Sequence, residues 1–577
     1  MQTLRKHLIL LMLVVVLALP AWSAPMRPTH AKHALVTSVH GLASEAGVEV
    51  MKQGGNAIDA AVATGFALAV VHPQAGNIGG GGFMLIRMAD GKLHFVDYRE
   101  KAPAAATANM YLDAQGNVIP GASTVGYKAV GVPGSVAGLA FAQKKYGKLP
   151  LAKVMEPAIR LARDGYPLAY EDAEDFHSKH LSEFPESKRI FQRDGNYYQP
   201  GEIFKQPDLA RTLERIAKNP DDFYHGQMAQ ELVADMKQGG GLITAGDLSQ
   251  YEVKEREPIH GTYRGLDVYS APPPSSGGIA LVEALNILEG YDLGKLGNRS
   301  AEAMHLTIEA FRRAFFDRAE FLGDPDFAKI PVAQLIDKRY GLAWREGLNP
   351  DKSSRSADLQ RPAVFTQLDQ IAAQHGPPRE VHEPENTTHY SVVDADGNAV
   401  SVTTTLNGSF GAYATAKGLG FLLNNEMDDF ASKPGVPNMY GLIQGPANAI
   451  GPDKRPLSAM TPTIVTKDGK LLLVLGSPGG PTIITTVANV LMGVVDYGMN
   501  IQEAVNAPHF HNQWLPDATN TEQGFSPDTI KLLEGMGHKI NVRKGYWGDA
   551  ECIAIDQATG ERLGAPDGRN NGKAVGY

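Results

Sequence analysis

Strand pairs joined by Asp-Gly turns dominate the last third of the chain and constrain its fold more than any other feature. The predicted strands are residues 388–393, 399–406, 463–466, 471–475 and 552–555, the last with a partner near Arg562. The second pair turns at Asp468-Gly469, where glycine supplies the positive φ that a tight turn needs. A helix is predicted over residues 483–497 and ends at Gly498. Antiparallel sheet is therefore expected here.

The N-terminal half has a helical period interrupted by glycine-rich turns. The predicted helices are residues 44–53, 57–73, 279–288 and 301–322. A strand pair, residues 83–87 and 93–98, follows the glycine run 79–82. This order of helices, strand pairs and a final helix predicts a layered α/β domain with largely antiparallel sheets.

The first two dozen residues have the pattern of a secretory signal peptide. Two basic residues precede an uninterrupted apolar run over residues 8–19, and Pro20 and small residues follow. This run is shorter than the roughly 20 residues that a spanning helix needs, and a small-x-small pattern places the cleavage near Ser23 or Ala24. An uncleaved anchor is the alternative. We expect an exported protein with no membrane span in its mature form.

Charge and cysteine content exclude several classes of protein. The chain has 63 acidic and 54 basic residues, so its formal net charge is −9, which argues against a nucleic-acid binder that relies on overall positive charge. Hydrophobic residues make up 43% of the chain, a globular composition. Cys552 is the only cysteine, so no intramolecular disulfide can form.

Common catalytic signatures are missing from the sequence. It has no P-loop, no His-Glu-x-x-His zinc motif and no Gly-x-Ser-x-Gly elbow. The glycine run 79–82 precedes its strand, so it is not a dinucleotide fingerprint and is expected to allow close backbone packing. His509 and His511 offer two metal nitrogens, but no acidic or thiol partner lies at ligand spacing. A structural role is favoured over a metal site.

A linker-like stretch ends where the strongest predicted strand begins. Residues 352–386 lack periodicity and contain several prolines, which predicts an exposed loop or linker. Asn386 and Thr387 follow directly. Threonine alone favours strands without any catalytic role. However, residues 36–577 resemble the γ-glutamyltransferase (glutathione hydrolase) family, bacterial exported type, of the N-terminal-nucleophile hydrolase superfamily, through the blocks GGNAIDAAVATGFALAVVHPQAGNIGGGGFMLIR, TTHYSVVDADGNAVSVTTTLN, LLNNEMDDF, PLSAMTPTIV, GSPGG and FHNQWLPD.

The resemblance implies both a fold and a maturation step. The fold would be α+β, a four-layer αββα sandwich with two stacked, largely antiparallel sheets between helical layers. The precursor would cut itself between Asn386 and Thr387. After removal of a signal peptide at residues 1–24, a large chain (25–386) and a small catalytic chain (387–577) would share one core as a heterodimer.

The implied nucleophile is Thr387, whose hydroxyl would attack the carbonyl of Asn386 and form an ester. Water would then hydrolyse this ester and release a new N-terminus at Thr387. The freed α-amino group has a reference pKa of about 7.7 to 8.0, so one residue would supply both nucleophile and base. The resemblance also implies that Thr405 hydrogen-bonds this centre. Gly479 and Gly480 would donate backbone N–H groups to the developing oxyanion.

A γ-glutamyl group carries an α-carboxylate and an α-ammonium, and the resemblance implies partners for each. Its carboxylate partners would be Arg99 and Ser458. Its ammonium partners would be Asn407, Glu426 and Asp429. Ala459 stands where the family commonly has a second serine, so one hydroxyl donor is absent and a tighter dependence on Arg99 is expected.

The segment 433–445 has no helical or strand period and follows the block LLNNEMDDF. An exposed connection and a lid over the pocket are both open from composition, and the resemblance implies the lid. Tyr440 is then the candidate gate.

The sequence predicts an enzyme that cleaves glutathione and other γ-glutamyl compounds and passes the γ-glutamyl group to water, amino acids or peptides. No metal or organic cofactor is implied, and a periplasmic location is favoured over secretion. One alternative is a related acylase such as a glutaryl-cephalosporin acylase, whose acyl group lacks the ammonium. Another is a secreted binding protein that kept the fold and lost catalysis.

Overall fold

A computed structural model describes residues 26–364 and 387–577, so the predicted signal peptide and Asn386 lie outside the described residues. The strands are β1 Thr29–Ala31, β2 Leu35–Ser38, β3 Gly81–Arg87, β4 Leu93–Asp97, β5 Tyr166–Pro167, β6 Ile203–Phe204, β7 Lys254–Arg256, β8 Ile259–Tyr263, β9 Leu266–Ser270, β10 Thr388–Val393, β11 Ala399–Thr405, β12 Thr463–Lys467, β13 Lys470–Leu475, β14 Phe510–His511, β15 Thr519–Thr521, β16 Ile540–Val542, β17 Cys552–Ile555, β18 Arg562–Ala565 and β19 Lys573–Gly576. The α-helices are Gly41–Lys52, Ala57–Val71, Ser135–Tyr146, Leu151–Asp164, Tyr170–Asp175, Pro185–Gln192, Pro207–Lys218, Asp222–His225, Gln227–Gly239, Ala245–Ser249, Gly277–Leu288, Leu293–Leu296, Ala301–Phe321, Val332–Leu335, Lys338–Glu346, Thr482–Val495, Ile501–Asn506 and Pro527–Gly535. None of these described helices is both long and apolar enough to cross a membrane.

Two seven-stranded sheets form the centre of the described structure, and neighbouring strands in both pair antiparallel. Their strand orders are β19-β2-β10-β11-β3-β4-β7 and β1-β18-β17-β13-β12-β9-β8. Within the first sheet, Thr388 lies opposite Thr404 and Val393 lies opposite Ala399. The strand pairs predicted from the Asp-Gly turns are therefore confirmed, and the first pair occupies the middle of its sheet.

The two sheets stack face to face, and helices cover their outer faces. β10 contacts β13 and β17, and β11 contacts β12 and β13, which brings the sheets together. Helix Ala57–Val71 packs on β10 and β11, whereas Gly277–Leu288 packs on β8 and β9 and Thr482–Val495 packs on β13. The predicted α+β fold, a four-layer αββα sandwich, is confirmed.

Local sequence explains the helix that supports the first sheet. The Asn56 side chain accepts hydrogen bonds from the N–H groups of Ile58 and Asp59, and the Asp59 carboxylate accepts one from Asn56 N at 2.7 Å. This reciprocal capping box starts the helix, and such a cap contributes about 1 kcal/mol. Every residue of Ala57–Val71 is buried, as expected for a helix that is apolar on all sides.

The glycine run 79–82 packs a turn against the end of β11. A Cβ on Gly80 would lie 2.0 Å from the carbonyl oxygen of Thr405, and a Cβ on Gly82 would lie 2.5 Å from that of Thr403. Both positions have room only for glycine, so the predicted close backbone packing is confirmed. This contact fixes the backbone at Thr405.

The described part of the linker-like stretch is largely exposed or half-buried, as expected for a loop, but two of its side chains have buried partners. In residues 352–364, Ser356 is buried and donates a hydrogen bond to the carbonyl of Trp514 at 2.6 Å. Arg361 makes ion pairs with two buried acidic residues of helix Ala301–Phe321. Polar composition predicted exposure here, but these polar side chains have buried partners that composition does not report.

Candidate active site

Thr387 lies immediately before β10, at the start of a central strand. Its Oγ1 lies 3.2 Å from Oγ1 of Thr405, the last residue of β11, and only 6% of Thr387 is exposed. Thr405 Oγ1 also accepts a hydrogen bond from the backbone N–H of Asn407 at 2.8 Å. The register of β10 and β11 therefore brings together two hydroxyls that are 18 residues apart in sequence.

One pocket collects most of the residues that the resemblance implied. Those residues are Arg99, Thr387, Thr405, Asn407, Glu426, Asp429, Tyr440, Ser458, Ala459 and Gly480. The rest of the lining is Arg318, Leu442, Met460, Pro481 and Ile483. Gly479 adjoins the pocket through Gly480 but does not line it, and Asn386 lies outside the described residues. Arg318 is a charged lining residue that neither the sequence pattern nor the resemblance indicated.

The Gly479-Gly480 turn leads into the N-terminus of helix Thr482–Val495. The two glycines have φ values of 126° and 52°, a region that side chains disfavour. The Gly479 carbonyl accepts hydrogen bonds from both the N–H and the hydroxyl of Thr482, at 3.0 and 2.7 Å. Because a helix N-terminus carries partial positive charge, it favours a negative charge that develops in this pocket.

Arg99 pairs with two carboxylates of the pocket. Its Nη1 lies 2.5 Å from Glu426 Oε1, its Nη2 lies 2.5 Å from Asp429 Oδ2, and its Nε donates to the Pro456 carbonyl at 3.2 Å. Burial opposes the charge on Arg99, but the charges of Glu426 and Asp429 outweigh burial and raise its pKa. The family resemblance implied that Arg99 binds the carboxylate of a substrate and that Glu426 and Asp429 bind its ammonium. In the structure they neutralise one another, because a buried cation needs a counter-charge.

Glu100 is a buried acidic neighbour of Arg99 that the sequence pattern also did not indicate. One of its carboxylate oxygens lies 3.7 Å from Nη1 of Arg99. Burial raises the pKa of Glu100 to about 7, although Arg99 opposes the shift. Burial also raises the pKa of Glu426, helped by the charges of Glu100 and Asp429. Three carboxylates lie around one guanidinium, and the pKa values of two of them, Glu100 and Glu426, are raised.

Tyr440 bridges two sides of the pocket. Its hydroxyl donates to the carbonyl of Asn407 at 2.6 Å, and a Cβ on Gly480 would lie 3.2 Å from its ring. The segment that carries it is anchored beside the acidic residues, since Asn438 Nδ2 donates to Asp429 Oδ1 at 3.4 Å. Residues 433–445 therefore lie against the pocket, with the Tyr440 ring packed on the glycine turn.

Ser458 and Ala459 form another part of the wall. The Ser458 hydroxyl accepts from the N–H of Met460 at 3.0 Å, and a hydroxyl that accepts can still donate its own proton. Ala459 is 7% exposed and offers only a methyl group to the pocket.

Residues of metal-ligand type lie elsewhere in the molecule. Within the described residues, His305, Glu309 and His538 form the one group whose donor atoms lie close enough to share an ion. His305 Nδ1 lies 2.7 Å from His538 Nε2, and its Nε2 lies 2.8 Å from the Asn349 carbonyl. Glu309 forms ion pairs with two arginines of its own helix. The three side chains already have partners in the core.

His509 and His511 do not belong to that group. His511 hydrogen-bonds the side chains of Thr485 at 3.0 Å and Gln513 at 2.8 Å. Both histidines are buried, and burial lowers the pKa of each. The favoured structural role matches these contacts for His511.

Two stacked antiparallel sheets enclosed by helices are the fold of the N-terminal-nucleophile hydrolases. Residues 43–577 match the family model described as gamma-glutamyltranspeptidase. The chain therefore belongs to the gamma-glutamyltranspeptidase family. It is 55% identical over 527 residues to a glutathione hydrolase proenzyme of Pseudomonas sp. (strain A14), covering 90% of this chain and 88% of that protein. It is 50% identical over 547 residues to the glutathione hydrolase proenzyme of Escherichia coli (strain K12), covering 94% and 91%.

Solved structures show the same relationship. Helicobacter pylori gamma-glutamyltranspeptidase is 45% identical with a TM-score of 0.57, covering 60% of this chain and all of that chain. A cephalosporin acylase from Bacillus halodurans is 28% identical with a TM-score of 0.80, covering 97% of this chain and 99% of that one.

Proposed function

We propose that this chain is an exported glutathione hydrolase and γ-glutamyltransferase with Thr387 as its nucleophile. The observation that carries the proposal is that the Thr387 hydroxyl lines the same pocket as the ion pair of Arg99 and Asp429. A γ-glutamyl group has its reactive carbonyl at one end and a carboxylate and an ammonium at the other. A pocket with a nucleophile and charges of both signs suits both ends of this group.

Self-cleavage creates the catalyst in this proposal. The Thr387 oxygen attacks the carbonyl carbon of Asn386, and the acyl group moves from nitrogen to oxygen. Water then hydrolyses the ester, which leaves a carboxylate on Asn386 and a free α-amino group on Thr387. The 3.2 Å contact between the hydroxyls of Thr387 and Thr405 supports Thr405 as the group that orients the attacking oxygen.

Acyl transfer uses the new amino group as the base. It takes the proton from the Thr387 hydroxyl, whose oxygen attacks the γ-carbonyl carbon of the substrate. The resulting oxyanion lies near the Gly479-Gly480 turn and the positive end of its helix. The leaving amine departs with the proton, and water or the amino group of an amino acid or peptide then attacks the γ-glutamyl ester.

The ion pair in the pocket exchanges partners when the substrate binds. The α-carboxylate takes a place at the Arg99 guanidinium, and the displaced carboxylate of Asp429 turns to the α-ammonium. Charges stay balanced in both states, which limits the desolvation cost of burying a zwitterion. A glutaryl group brings only the carboxylate, so it would displace Asp429 from Arg99 without offering it an ammonium. This charge balance favours a γ-glutamyl donor over the acyl group of a related acylase.

The sheet order explains why two chains would stay together after cleavage. β10 and β11 follow residue 386, yet they lie between β2 and β3, which precede it. In the other sheet, the adjacent strands β18, β17, β13 and β12 all follow residue 386 and lie between β1 and β9, which precede it. Separating the chains would break both sheets, so a stable heterodimer of residues 25–386 and 387–577 is proposed. Export through the N-terminal leader, with the periplasm as destination, completes the proposal.

Intact mass after expression tests the proposal. From 61.9 kDa over 577 residues, we expect an N-terminal chain of about 39 kDa and a C-terminal chain of about 20 kDa that begins at Thr387. The pair should elute together and release glutamate from glutathione. An active but uncut protein, or a new N-terminus elsewhere, would contradict the mechanism.

Changing Tyr440 should alter the fate of the acyl group. Tyr440→Phe removes the hydrogen bond to Asn407, and Tyr440→Ala also removes the ring beside Gly480. A hydrogen bond contributes about 0.5 to 1.5 kcal/mol, so the ratio of hydrolysis to transfer should change by roughly two- to tenfold in Phe and further in Ala. Product ratios at fixed acceptor concentration measure this. Self-cleavage should stay intact because it precedes substrate binding, and unchanged ratios in both variants would reduce residues 433–445 to a surface connection.

A further inference from the structure

Arg318 is a buried cation of the pocket that the mechanism above leaves without a role. It lies on helix Ala301–Phe321, is 2% exposed and lines the pocket together with Thr387 and Ala459. The apolar spacing of this helix predicts a position in the core, yet the helix also contains many charged residues. Its sequence therefore does not distinguish Arg318 from the other charged residues.

The contacts of Arg318 leave part of its guanidinium unpaired. Its Nε donates to Ser276 Oγ at 2.9 Å, and that hydroxyl donates to the Ser458 carbonyl at 2.6 Å. Nη1 is buried and has no hydrogen-bond partner among the described residues, and no carboxylate within residues 26–364 and 387–577 forms an ion pair with Arg318. Burial lowers its pKa to about 10, against the opposing charge of Asp429. A buried guanidinium in this position requires an anion.

Arg99 and Arg318 therefore differ in what they can offer a substrate. The two terminal nitrogens of Arg99 are engaged by Glu426 and Asp429. Arg318 has a donor without a partner, and Ala459 in the same wall has no hydroxyl to contribute.

We propose that Arg318 is a second binding residue for the α-carboxylate of the γ-glutamyl group, an inference that rests on the proposed function. The carboxylate accepts a charge-assisted hydrogen bond from Nη1 while it also meets Arg99. Ser276 holds the guanidinium in place through Nε. Arg318 thereby selects acyl donors that carry an α-carboxylate.

Two inhibitors that differ only by the α-carboxylate test this role. L-Glutamate carries it, and 4-aminobutyrate keeps the ammonium and the chain but lacks it. Their inhibition constants are measured against hydrolysis of L-glutamic acid γ-(4-nitroanilide) by wild type, Arg318→Gln and Arg318→Lys. In Arg318→Gln the KM of the anilide and the inhibition constant of L-glutamate should rise at least tenfold, with a smaller change in kcat. The inhibition constant of 4-aminobutyrate should stay within twofold of its wild-type value. In Arg318→Lys, the inhibition constant of L-glutamate should lie between those of wild type and Arg318→Gln.

A matched control is Arg313→Lys. Arg313 is buried on the same helix, pairs with Glu309 and does not line the pocket. Its replacement should leave the preference for L-glutamate over 4-aminobutyrate within twofold of wild type. Equal weakening of both inhibitors in Arg318→Gln, or no change in either, would overturn the proposal.

Two further measurements keep the test decisive. Self-cleavage, measured by intact mass, shows whether Arg318→Gln has folded. If it has not, the preference of Arg318→Lys for L-glutamate over 4-aminobutyrate decides the question. An unchanged preference in Arg318→Lys would then overturn the proposal. Ala459→Ser adds a hydroxyl donor, so it should lessen the loss of affinity for L-glutamate that Arg318→Lys causes. A wild-type protein that neither hydrolyses the anilide nor binds L-glutamate would instead refute the proposed function, before any Arg318 variant is compared.

Discussion

Thr387→Ala should remain a single chain and lose activity on γ-glutamyl compounds by on the order of 10⁴-fold or more. Without the hydroxyl, no oxygen at this position can attack the Asn386 carbonyl, so neither the ester nor the free α-amino group forms. The protein should still fold, because removing one hydroxyl and one methyl at the strand end leaves both sheets intact. Intact mass and release of glutamate from glutathione measure the two effects.

Two variants separate the nucleophile from its surroundings. Thr387→Ser keeps the hydroxyl and should still cut itself, more slowly, because serine lacks the methyl group that restricts the side-chain rotamer. Thr388→Ala removes the hydroxyl of the next residue, which is buried in β10 and lies outside the pocket lining. It should cut itself and remain active. If Thr387→Ala still cut itself, the nucleophile would be another residue. The same would follow if Thr388→Ala lost self-cleavage while Thr387→Ala kept it.

The elements that local sequence signals define were predicted closely. The helix expected over residues 301–322 is Ala301–Phe321, and the strand expected over 399–406 is Ala399–Thr405. Caps and Asp-Gly turns set these ends within a few residues of chain. The strand order was not predictable in this way, because β10 lies beside β2 through contacts more than 300 residues apart. The order of the elements predicted a layered domain, and the four-layer αββα arrangement was implied by the family resemblance.

The pocket shows the same division. The resemblance named most of the lining residues, but not that Arg99 would pair with the acidic residues expected to bind an ammonium. The sequence gives the sign of each charged residue, whereas the partner of a buried charge depends on which helices and strands pack together. Glu100 illustrates this, since it directly follows Arg99 and only its burial marks it. The position of Arg318 in the pocket depends on the packing of a helix that is distant in sequence from the other lining residues, so it could not be predicted from local sequence.

Asp429→Asn should lower kcat/KM for γ-glutamyl compounds at least tenfold and leave glutaryl compounds much less affected. The substitution keeps the shape of the side chain and removes its charge, so the substrate ammonium loses a charged partner in a desolvated site. Such a loss costs about 1.5 to 3 kcal/mol, which is a factor of roughly 10 to 150. The glutaryl group has no ammonium, and loss of the Asp429 charge frees Arg99 for its carboxylate. Parallel kinetics on a γ-glutamyl anilide and a glutaryl anilide measure both arms.

Glu426→Gln is the informative contrast, because Glu426 and Asp429 both pair with Arg99, but the Glu426 side chain is 1% exposed and that of Asp429 is 13% exposed. Burial and the neighbouring acids raise the pKa of Glu426, so glutamine resembles the protonated form that this shift favours. Its replacement should therefore cost less than threefold on γ-glutamyl compounds, whereas Asp429→Asn costs tenfold or more. As pH rises toward the raised pKa, the wild-type Glu426 ionises and gains attraction for the ammonium, so the gap between wild type and Glu426→Gln should widen. Equal losses on γ-glutamyl and glutaryl donors in Asp429→Asn would make Asp429 a structural partner of Arg99 and reopen the acylase alternative.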